Sequence, residues 1–142
     1  MVNSEMKESY LSEKYLNGYQ EAYKVIIAGG RDFDDYKYMS SELTELFENS
    51  AYFKGITIKI ISGMAKGADS LAMRYADEHK LTKILFPANW KAYPRIAGLL
   101  RNRDMLNIAT HLIVFWDGKS SGTKDMIDIA QEKGIPVWIF NY

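Results

Sequence analysis

The residues at positions 62–70 are of types that bind phosphate. Gly63 and Gly67 lie four positions apart and flank Lys66. Glycine lets backbone N–H groups surround an anion, and the N-terminus of a following helix adds partial positive charge. The candidate ligand residues here are Ser62, Gly63, Met64, Lys66, Gly67 and Asp69. The alternative is a tight strand-to-helix turn in which Asp69 or Ser70 caps the helix.

Two common nucleotide-binding motifs are absent from the sequence. A Walker loop needs Gly-Lys followed by Ser or Thr, whereas here Lys66 precedes Gly67. The first glycine pair, Gly29 and Gly30, lacks the third glycine of a G-x-G-x-x-G fingerprint. The sequence therefore disfavours an ordinary dinucleotide-dependent oxidoreductase.

A second Gly/Ser segment spans residues 116–123. Ser120, Ser121 and Thr123 carry hydroxyl donors, and Gly122 leaves space for a ligand where a helix is predicted to begin. The alternative is that one of these hydroxyls only caps that helix. Two such loops at one crevice would indicate an anion site more strongly than either loop alone.

A third segment begins with Gly29 and Gly30, which let the chain pass close to a bound group. Arg31 can contact a phosphate in bidentate fashion, and Asp32 can accept a hydrogen bond from a ribose hydroxyl. The alternative is an internal ion pair of Arg31 with Asp32 or with Asp69. All four residues at positions 29–32 are candidate ligand contacts.

The fourth segment, residues 87–103, combines aromatic rings with cations. Trp90 or Tyr93 can stack on a base, although either ring can instead cover the sheet as surface packing. On a helical wheel Arg103 falls among leucines and isoleucine, so we expect it to pack there, and Arg101 lies off that face. The candidate ligand residues are Asn89, Trp90, Arg101 and Asn102.

Strands and helices that alternate along the chain position these segments. Apolar runs predict strands at 24–28, 56–61, 83–86, 111–115 and 136–140, and helical periodicity predicts helices at 36–47, 68–78, 99–108 and 123–133. This order is typical of an α/β protein, a Rossmann-like three-layer α/β/α sandwich with a mostly parallel five-stranded sheet. The carboxyl ends of parallel strands then bring all four segments to one crevice.

Composition excludes several classes of function. The 142 residues contain no cysteine and two histidines, so we expect neither thiolate chemistry nor a metal site. Eighteen basic residues balance 18 acidic ones, which disfavours nucleic acid as a partner. No apolar run approaches the roughly 20 residues that cross a bilayer, and residues 1–14 lack a secretory signal. We expect a cytoplasmic protein without a membrane partner.

The chain divides into an N-terminal extension, residues 1–22, and one domain, residues 23–142. In the extension, Leu11, Tyr15 and Tyr19 have the spacing of a short amphipathic helix. Such an appendage is more often a packing or dimer-forming element than a functional site. No repeat or low-complexity segment interrupts the domain.

Residues 23–142 resemble the SLOG superfamily, named for the Smf/DprA and LOG proteins, and most closely its YspA-like branch. The residues that carry the resemblance are Gly29-Gly30-Arg31-Asp32-Phe33, Ser62-Gly63-Met64-Ala65-Lys66-Gly67-Ala68-Asp69, Pro87-Ala88-Asn89-Trp90, Ala97-Gly98, Arg101-Asn102, Phe115-Trp116-Asp117-Gly118 and Gly122-Thr123. The resemblance implies a Rossmannoid nucleotide-binding domain and self-association into a homo-oligomer. It also implies a pocket for nucleotides or nucleotide-derived signals.

One departure from the superfamily concerns catalysis. Its hydrolase branch has the pattern Gly-Gly-x-Gly-Thr-x-x-Glu with a catalytic glutamate, and Met126 stands at that position here. Asp125 lies one residue earlier and points about 100° away on a helix. Methionine cannot act as an acid or base, so whether the chain is an enzyme stays open. Asp32, Asp69 and Asp117 are the candidate substitutes.

Three functions therefore compete. The first is binding or sensing of a phosphorylated nucleoside, with an ADP-ribose or NAD derivative as one form and no further cofactor required. The second is hydrolysis of the N-glycosidic bond of a nucleoside 5′-monophosphate. The third is DNA processing or single-strand binding through Trp90, Lys91, Tyr93, Arg95 and Arg101.

Overall fold

The computed structural model describes residues 21–142, so the predicted helix around Leu11 and Tyr15 lies outside the described residues. The strands are β1 (Tyr23–Gly29), β2 (Ile58–Ser62), β3 (Thr82–Leu85), β4 (His111–Trp116) and β5 (Val137–Asn141). The helices are α1 (Tyr36–Asn49), α2 (Ala68–Glu78), α3 (Ala97–Ile108) and α4 (Ser121–Glu132).

The five strands form one sheet in the order β3-β2-β1-β4-β5, and every pairing is parallel. The strand order reverses between β1 and β4, which are adjacent in the sheet but far apart in sequence. A crevice opens at such a reversal, outside the carboxyl ends of the strands. The predicted α/β architecture and parallel sheet are confirmed.

Helices cover both faces of the sheet, and the alternation along β1 shows why its apolar run is continuous. Val25 and Ile27 pack in a core with α1 and α2, whereas Ile26 and Ala28 pack in a second core with α3 and α4. Val25, Ile26 and Ile27 are completely buried. A parallel strand buried on both faces needs apolar residues at successive positions.

Most elements differ from the predicted bounds by one or two residues at an end, and two of these differences concern the starts of β2 and α4. Strand β2 begins at Ile58 rather than at residue 56, because the amide of Ile56 closes a turn by donating to the carbonyl of Phe53 at 3.0 Å. Helix α4 begins at Ser121 rather than at residue 123. Its first turn therefore contains more of the Gly/Ser segment than the periodicity of apolar residues indicates.

The prediction that Arg103 packs among apolar side chains is wrong. Arg103 is exposed, as are Leu99 and Leu100, and the buried face of α3 instead carries Arg101 and Met105. A helical wheel assigns leucines to the core by hydrophobicity alone. Arg101 can be buried here because its guanidinium finds hydrogen-bond acceptors inside the protein.

Within residues 21–142, none of the helices combines the length and the apolar character needed to cross a membrane.

Candidate functional site

A cavity of about 500 Å³ lies at the carboxyl edge of the sheet, where β1 and β4 end side by side. Its walls come from the segments after β1, β2, β3 and β4 and from the first turns of α3 and α4. The lining residues are Ala28, Gly29, Gly30, Arg31, Asp32, Ala65, Asp69, Trp90, Arg95, Gly98, Leu99, Arg101, Asn102, Asp117, Ser120, Gly122, Thr123 and Met126. The four predicted segments therefore converge at one site.

Backbone contacts join the loops that form the floor of the cavity. The amide of Gly30 donates to the carbonyl of Phe115 at 3.1 Å, and the carbonyl of Gly30 accepts from the amide of Ala68 at 3.1 Å. Gly67 has a φ of +84°, and a side chain there would collide with the backbone of Arg31. Glycine is therefore required for the β1 and β2 loops to approach this closely.

The loop between β4 and α4 leaves its helix uncapped. Asp117 Oδ1 accepts hydrogen bonds from the amides of Lys119 and Ser120, each at 2.8 Å, and these bonds lower the pKa of the Asp117 carboxyl. The side chain of Ser120, the residue before α4, makes no capping hydrogen bond. Gly122 and Thr123 from the first turn of α4 line the cavity. The N–H groups of that turn are therefore free to bind an anion.

In the loop between β2 and α2, backbone amides and side-chain hydroxyls form hydrogen bonds with groups of the same segment. The amide of Met64 donates to Ser62 Oγ at 3.1 Å, and the amide of Ala65 donates to Asp69 Oδ2 at 3.2 Å. Ser62 Oγ also donates to the carbonyl of Asp69, and Ser70 Oγ donates to the carbonyl of Ala65. A carboxylate of the chain thus takes up one of the amides that an anion would bind.

Asp69 is a buried acid in the wall of the cavity, with 5% of its surface exposed. Burial raises the pKa of its carboxyl to about 6, against the lowering effect of the Ala65 amide and of the positive charges of Arg101 and Arg31. A carboxyl that titrates near neutral pH can exchange a proton with a ligand. Asp69 is therefore the aspartate in this cavity best suited to acid–base chemistry.

Arg101 and Arg31 bring two guanidinium groups to the same cavity. Arg101 is 8% exposed, and it donates from Nη1 to the carbonyl of Gly63 and from Nε to Asn102 Oδ1 at 2.8 Å. Burial lowers the pKa of Arg101, the charge of Asp69 raises it, and the like charge of Arg31 lowers it further. The guanidinium of Arg31 lies 5.7 Å from the centre of the Trp90 ring.

Neither Arg31 nor Arg101 forms an ion pair with a residue of the part of the chain that the structure describes. The alternative ion pairs of Arg31 with Asp32 or Asp69 are thus not formed. Gly63 makes room for the Arg101 side chain, because a Cβ at Gly63 would lie 2.7 Å from Arg101 Nη1 and from Asp69 Oδ2. Because these two neighbouring cations form no ion pair, their guanidinium groups can contact an anionic ligand.

Asp32 has a partner that the sequence did not reveal. The hydroxyl of Tyr142, directly after β5, donates to Asp32 Oδ1 at 2.6 Å. Burial and the acceptor Asp32 raise the pKa of Tyr142. Strand β5 thus contributes to the site through one tyrosine, although no candidate segment lies at its end.

The structure distributes the predicted ligand residues over three locations. The cavity takes in Gly29, Gly30, Arg31, Asp32, Asp69, Trp90, Arg101, Asn102, Ser120, Gly122 and Thr123. An adjoining groove of about 420 Å³ includes Gly63, Met64 and Lys66 and shares Arg31, Trp90 and Arg101 with the cavity. Neither space is lined by Ser62, Gly67, Asn89 or Ser121. Asn89 instead accepts from the amide of Ala92 at 3.1 Å.

The lining also includes Gly98 and Arg95, of which the sequence analysis named Arg95 only for single-strand binding and not for a nucleotide. Arg95 lies within the segment that was predicted to reach the crevice, so its positive charge could have identified it as a candidate ligand residue. A Cβ at Gly98 would lie 3.4 Å from the Trp90 ring and 3.6 Å from Arg101 Nη2. A side chain at Gly98 would therefore be in ordinary van der Waals contact with the indole and the guanidinium.

Residues 21–142 contain no cluster of three or more histidines and acids arranged to hold a metal ion. The chemistry of the cavity is that of backbone amides, three arginines, three aspartates and an indole ring. Such groups bind phosphate esters and polar rings without a metal.

The fold and the cavity define a class: a Rossmann-like α/β protein with a crevice at its topological switch point. A model of the YspA, cpYpsA-related SLOG family matches residues 23–93, half of the chain. The chain belongs to this SLOG family. The resemblance carried by the four loops is therefore confirmed.

One solved structure with a similar fold is that of DNA processing protein A from Helicobacter pylori, a protein described for its binding of single-stranded DNA. The two share 21% sequence identity with a TM-score of 0.55, over 82% of this chain and 64% of the other. This chain thus corresponds to less than two thirds of that protein, and the likeness is one of fold. Comparison with curated proteins gives no match.

Proposed function

We propose that this protein binds a phosphorylated nucleoside, such as an ADP-ribose or NAD derivative, in the crevice between β1 and β4. The observation that carries the proposal is the convergence of Arg31 and Arg101 with the uncapped first turn of α4 around one cavity. Both guanidinium groups lack acidic ion-pair partners among residues 21–142. A phosphate accepts hydrogen bonds both from guanidinium groups and from the free N–H groups of a helix N-terminus.

The remaining lining groups suit the rest of a nucleotide. Trp90 is 45% exposed, so one face of its indole is available to stack on a base. Asn102 and Asp32 can exchange hydrogen bonds with base or sugar. A cavity of about 500 Å³ is within the range of small-molecule sites. Binding of this kind requires no cofactor.

Titration calorimetry with a panel of nucleoside mono- and diphosphates, ADP-ribose and NAD tests the proposal. We expect at least one to bind, and Arg101→Met to remove that binding. Arg103→Met is the matched control, because Arg103 lies on the same helix but is exposed and away from the cavity. Absence of binding across the panel by the wild-type protein would overturn the proposal.

Hydrolysis of the N-glycosidic bond is a second candidate, favoured by the elevated pKa of Asp69. A general acid or base works best when its pKa lies near the working pH, and Asp69 reaches about 6 inside the cavity. Met126, which replaces the expected glutamate, is buried in the same wall. Release of free base, followed by chromatography, should disappear in Asp69→Asn. No release from any bound nucleotide restricts the protein to binding.

Single-strand binding is favoured by two exposed rings near the cavity and by the fold of the Helicobacter pylori protein. Trp90 is 45% exposed and Tyr93 is 50% exposed, with the cations Lys91 and Arg95 beside them. Fluorescence anisotropy with a labelled oligonucleotide at low and high salt separates this role from nucleotide binding. A strand held at its phosphates should dissociate as salt rises, whereas absence of binding at low salt would dismiss this candidate.

We also propose self-association through α3. Ile96, Leu99 and Leu100 are 47%, 41% and 37% exposed and form an apolar surface next to the site. A second copy of the same surface would bury these side chains. Light scattering should give the mass of a dimer for the wild-type protein and of a monomer for Leu100→Glu. A monomeric wild-type protein at all concentrations contradicts this proposal.

A further inference from the structure

We propose that Tyr142 positions Asp32 as an acceptor for the ribose hydroxyls, so that the site selects ribonucleotides over 2′-deoxyribonucleotides. This inference rests on the proposed nucleotide binding and adds to it the kind of sugar that is recognised. It assigns a positioning role to Tyr142 and a specificity role to Asp32. The role follows from how the two side chains are held together at the rim of the cavity.

Tyr142 is fixed by three contacts that are independent of any ligand. Its amide donates to the carbonyl of Trp116 at 3.2 Å, which continues the pairing of β5 with β4. Its ring packs edge-on against Phe33, with the centroids 4.9 Å apart. Its hydroxyl donates to Asp32 Oδ1 at 2.6 Å. The carboxyl is therefore held by a side chain anchored to the sheet.

Gly30 shows that this part of the site is built around the Tyr142–Asp32 pair. A Cβ at Gly30 would collide with the Tyr142 hydroxyl and would lie 2.6 Å from Asp32 Oδ1. Any side chain at Gly30 would therefore push the phenol and the carboxyl apart. Gly30, the first residue after β1, thus leaves room for the hydrogen bond between Tyr142 and Asp32.

The hydrogen bond leaves one carboxylate oxygen of Asp32 for a ligand. Asp32 lines the cavity, and its Oδ1 is already engaged by Tyr142. An ionised carboxylate only accepts hydrogen bonds, so the group that satisfies Oδ2 must be a donor. Within a nucleotide whose phosphate is bound by Arg31 and the first turn of α4, the hydroxyls of the ribose are such donors.

The negative charge of Asp32 also disfavours a ligand that carries a phosphate on its 2′ or 3′ hydroxyl. A 2′- or 3′-phosphate would place a second anion beside the Asp32 carboxylate, and the neutral phenol of Tyr142 supplies no positive charge to offset the repulsion. Ligands with free hydroxyls at both positions should therefore bind best. This separates the sugar end of the site from the end that holds the 5′-phosphate.

The experiment compares ribonucleoside 5′-monophosphates with their 2′-deoxy counterparts by titration calorimetry. We expect the wild-type protein to prefer the ribonucleotide about tenfold, the value of one charge-assisted hydrogen bond at an exposed carboxylate. Tyr142→Phe should reduce that preference to under about threefold while leaving the affinity for the deoxynucleotide unchanged. The control is Tyr38→Phe, whose hydroxyl donates to the carbonyl of Asn141 at 3.2 Å and does not contact Asp32.

The possible results are separable. A wild-type protein that binds both sugars equally overturns the inference and leaves the proposed nucleotide binding standing. Equal loss of both ligands in Tyr142→Phe also overturns it, because that result assigns Tyr142 a structural role only. If no nucleotide binds to the wild-type protein, the proposed function fails and the inference fails with it. Thermal melting of each variant confirms that the compared proteins are folded.

Discussion

The loops after β2 and β4 share a composition and differ in what they can bind. Both lead from a buried strand into a helix and contain glycine and lysine. In the β2 loop Asp69 accepts the amide of Ala65, so the chain supplies its own anion. In the β4 loop Asp117 accepts the amides of Lys119 and Ser120, which precede α4. Neither helix has a capping side chain, but the first turn of α2 contains the acidic Asp69, whereas the first turn of α4 contains no acidic residue.

The difference follows from where each acid lies relative to its helix. Asp69 is the second residue of α2 and folds back on the loop, whereas Asp117 lies four residues before α4 begins. Both carboxylates accept loop amides, but only the one inside the first turn places its negative charge next to the N-terminus of its helix, where it repels an anionic ligand. Sequence composition alone does not separate these two cases.

The variant with the largest expected effect removes the side chain that connects the two loops. Arg101 is anchored to the β2 loop through the carbonyl of Gly63 and reaches the cavity shared with α4. Arg101→Met should weaken binding of a phosphorylated ligand by roughly 2–5 kcal/mol. It should also reduce the free energy of unfolding by about 1–3 kcal/mol, because the Gly63 carbonyl loses its donor. Calorimetry and urea unfolding measure the two effects, and a variant that binds normally contradicts the assignment.

The next prediction concerns the buried carboxyl of Asp69, which accepts a hydrogen bond from the β2 loop. The pKa of Asp69 is raised from 3.8 to about 6, so the native state binds this proton more tightly than the unfolded state. Stability should therefore decrease as pH rises from about 4 through about 6, by at most about 3 kcal/mol. Asp69→Asn should remove that decrease, giving a variant more stable than the wild type at pH 8 and similar to it near pH 3. Denaturant unfolding across this range measures it, and parallel pH profiles would refute it.

A third variant gives the β4 loop a carboxylate next to its helix, as the β2 loop already has. Ser120→Asp places a carboxylate at the uncapped start of α4, where it can accept the free amides of the first turn. We expect the free energy of unfolding to rise by about 1 kcal/mol. The affinity for a phosphorylated ligand should fall at least tenfold, about 1.4 kcal/mol, because the added charge repels the ligand. Ser120→Asn is the neutral control, which should stabilise the helix without the same loss of affinity.

The smallest expected effect comes from replacing the lysine of the β2 loop. Lys66 is exposed and borders the adjoining groove rather than the cavity. Lys66→Ala should therefore change the affinity for a nucleoside monophosphate by less than about threefold, the value of an exposed charge contact. Lys54→Ala, in an exposed turn, is the matched control. A tenfold loss in Lys66→Ala alone would show that the ligand is held at the β2 loop after all.

The sequence was sufficient for the architecture and for the convergence of the loops. Val25, Ile26 and Ile27 form a continuous apolar run that only a strand covered on both faces explains. Once the strands are parallel, their carboxyl ends must meet, so Arg31 and Gly122 reach the same crevice without knowledge of any contact.

Details that depend on long-range contacts could not be predicted. The burial of Arg101 depends on the carbonyl of Gly63, which lies 38 residues away in the sequence. The partner of Asp32 is Tyr142, 110 residues away, and no local pattern marks that pair. A helical wheel therefore predicted that Arg103 packs among apolar side chains. The wheel counts apolar neighbours along the helix but not the hydrogen-bond acceptors that allow a cation to be buried.

The position of Trp90 provides an internal optical probe. The indole is half exposed in the cavity wall, with the guanidinium of Arg31 over its ring. A molecule that enters between them changes the polarity around the chromophore, so its emission wavelength and intensity report occupancy without a label. Because Trp116 and Trp138 lie outside the lining, replacing both with phenylalanine isolates the signal of the crevice in a fluorescence titration.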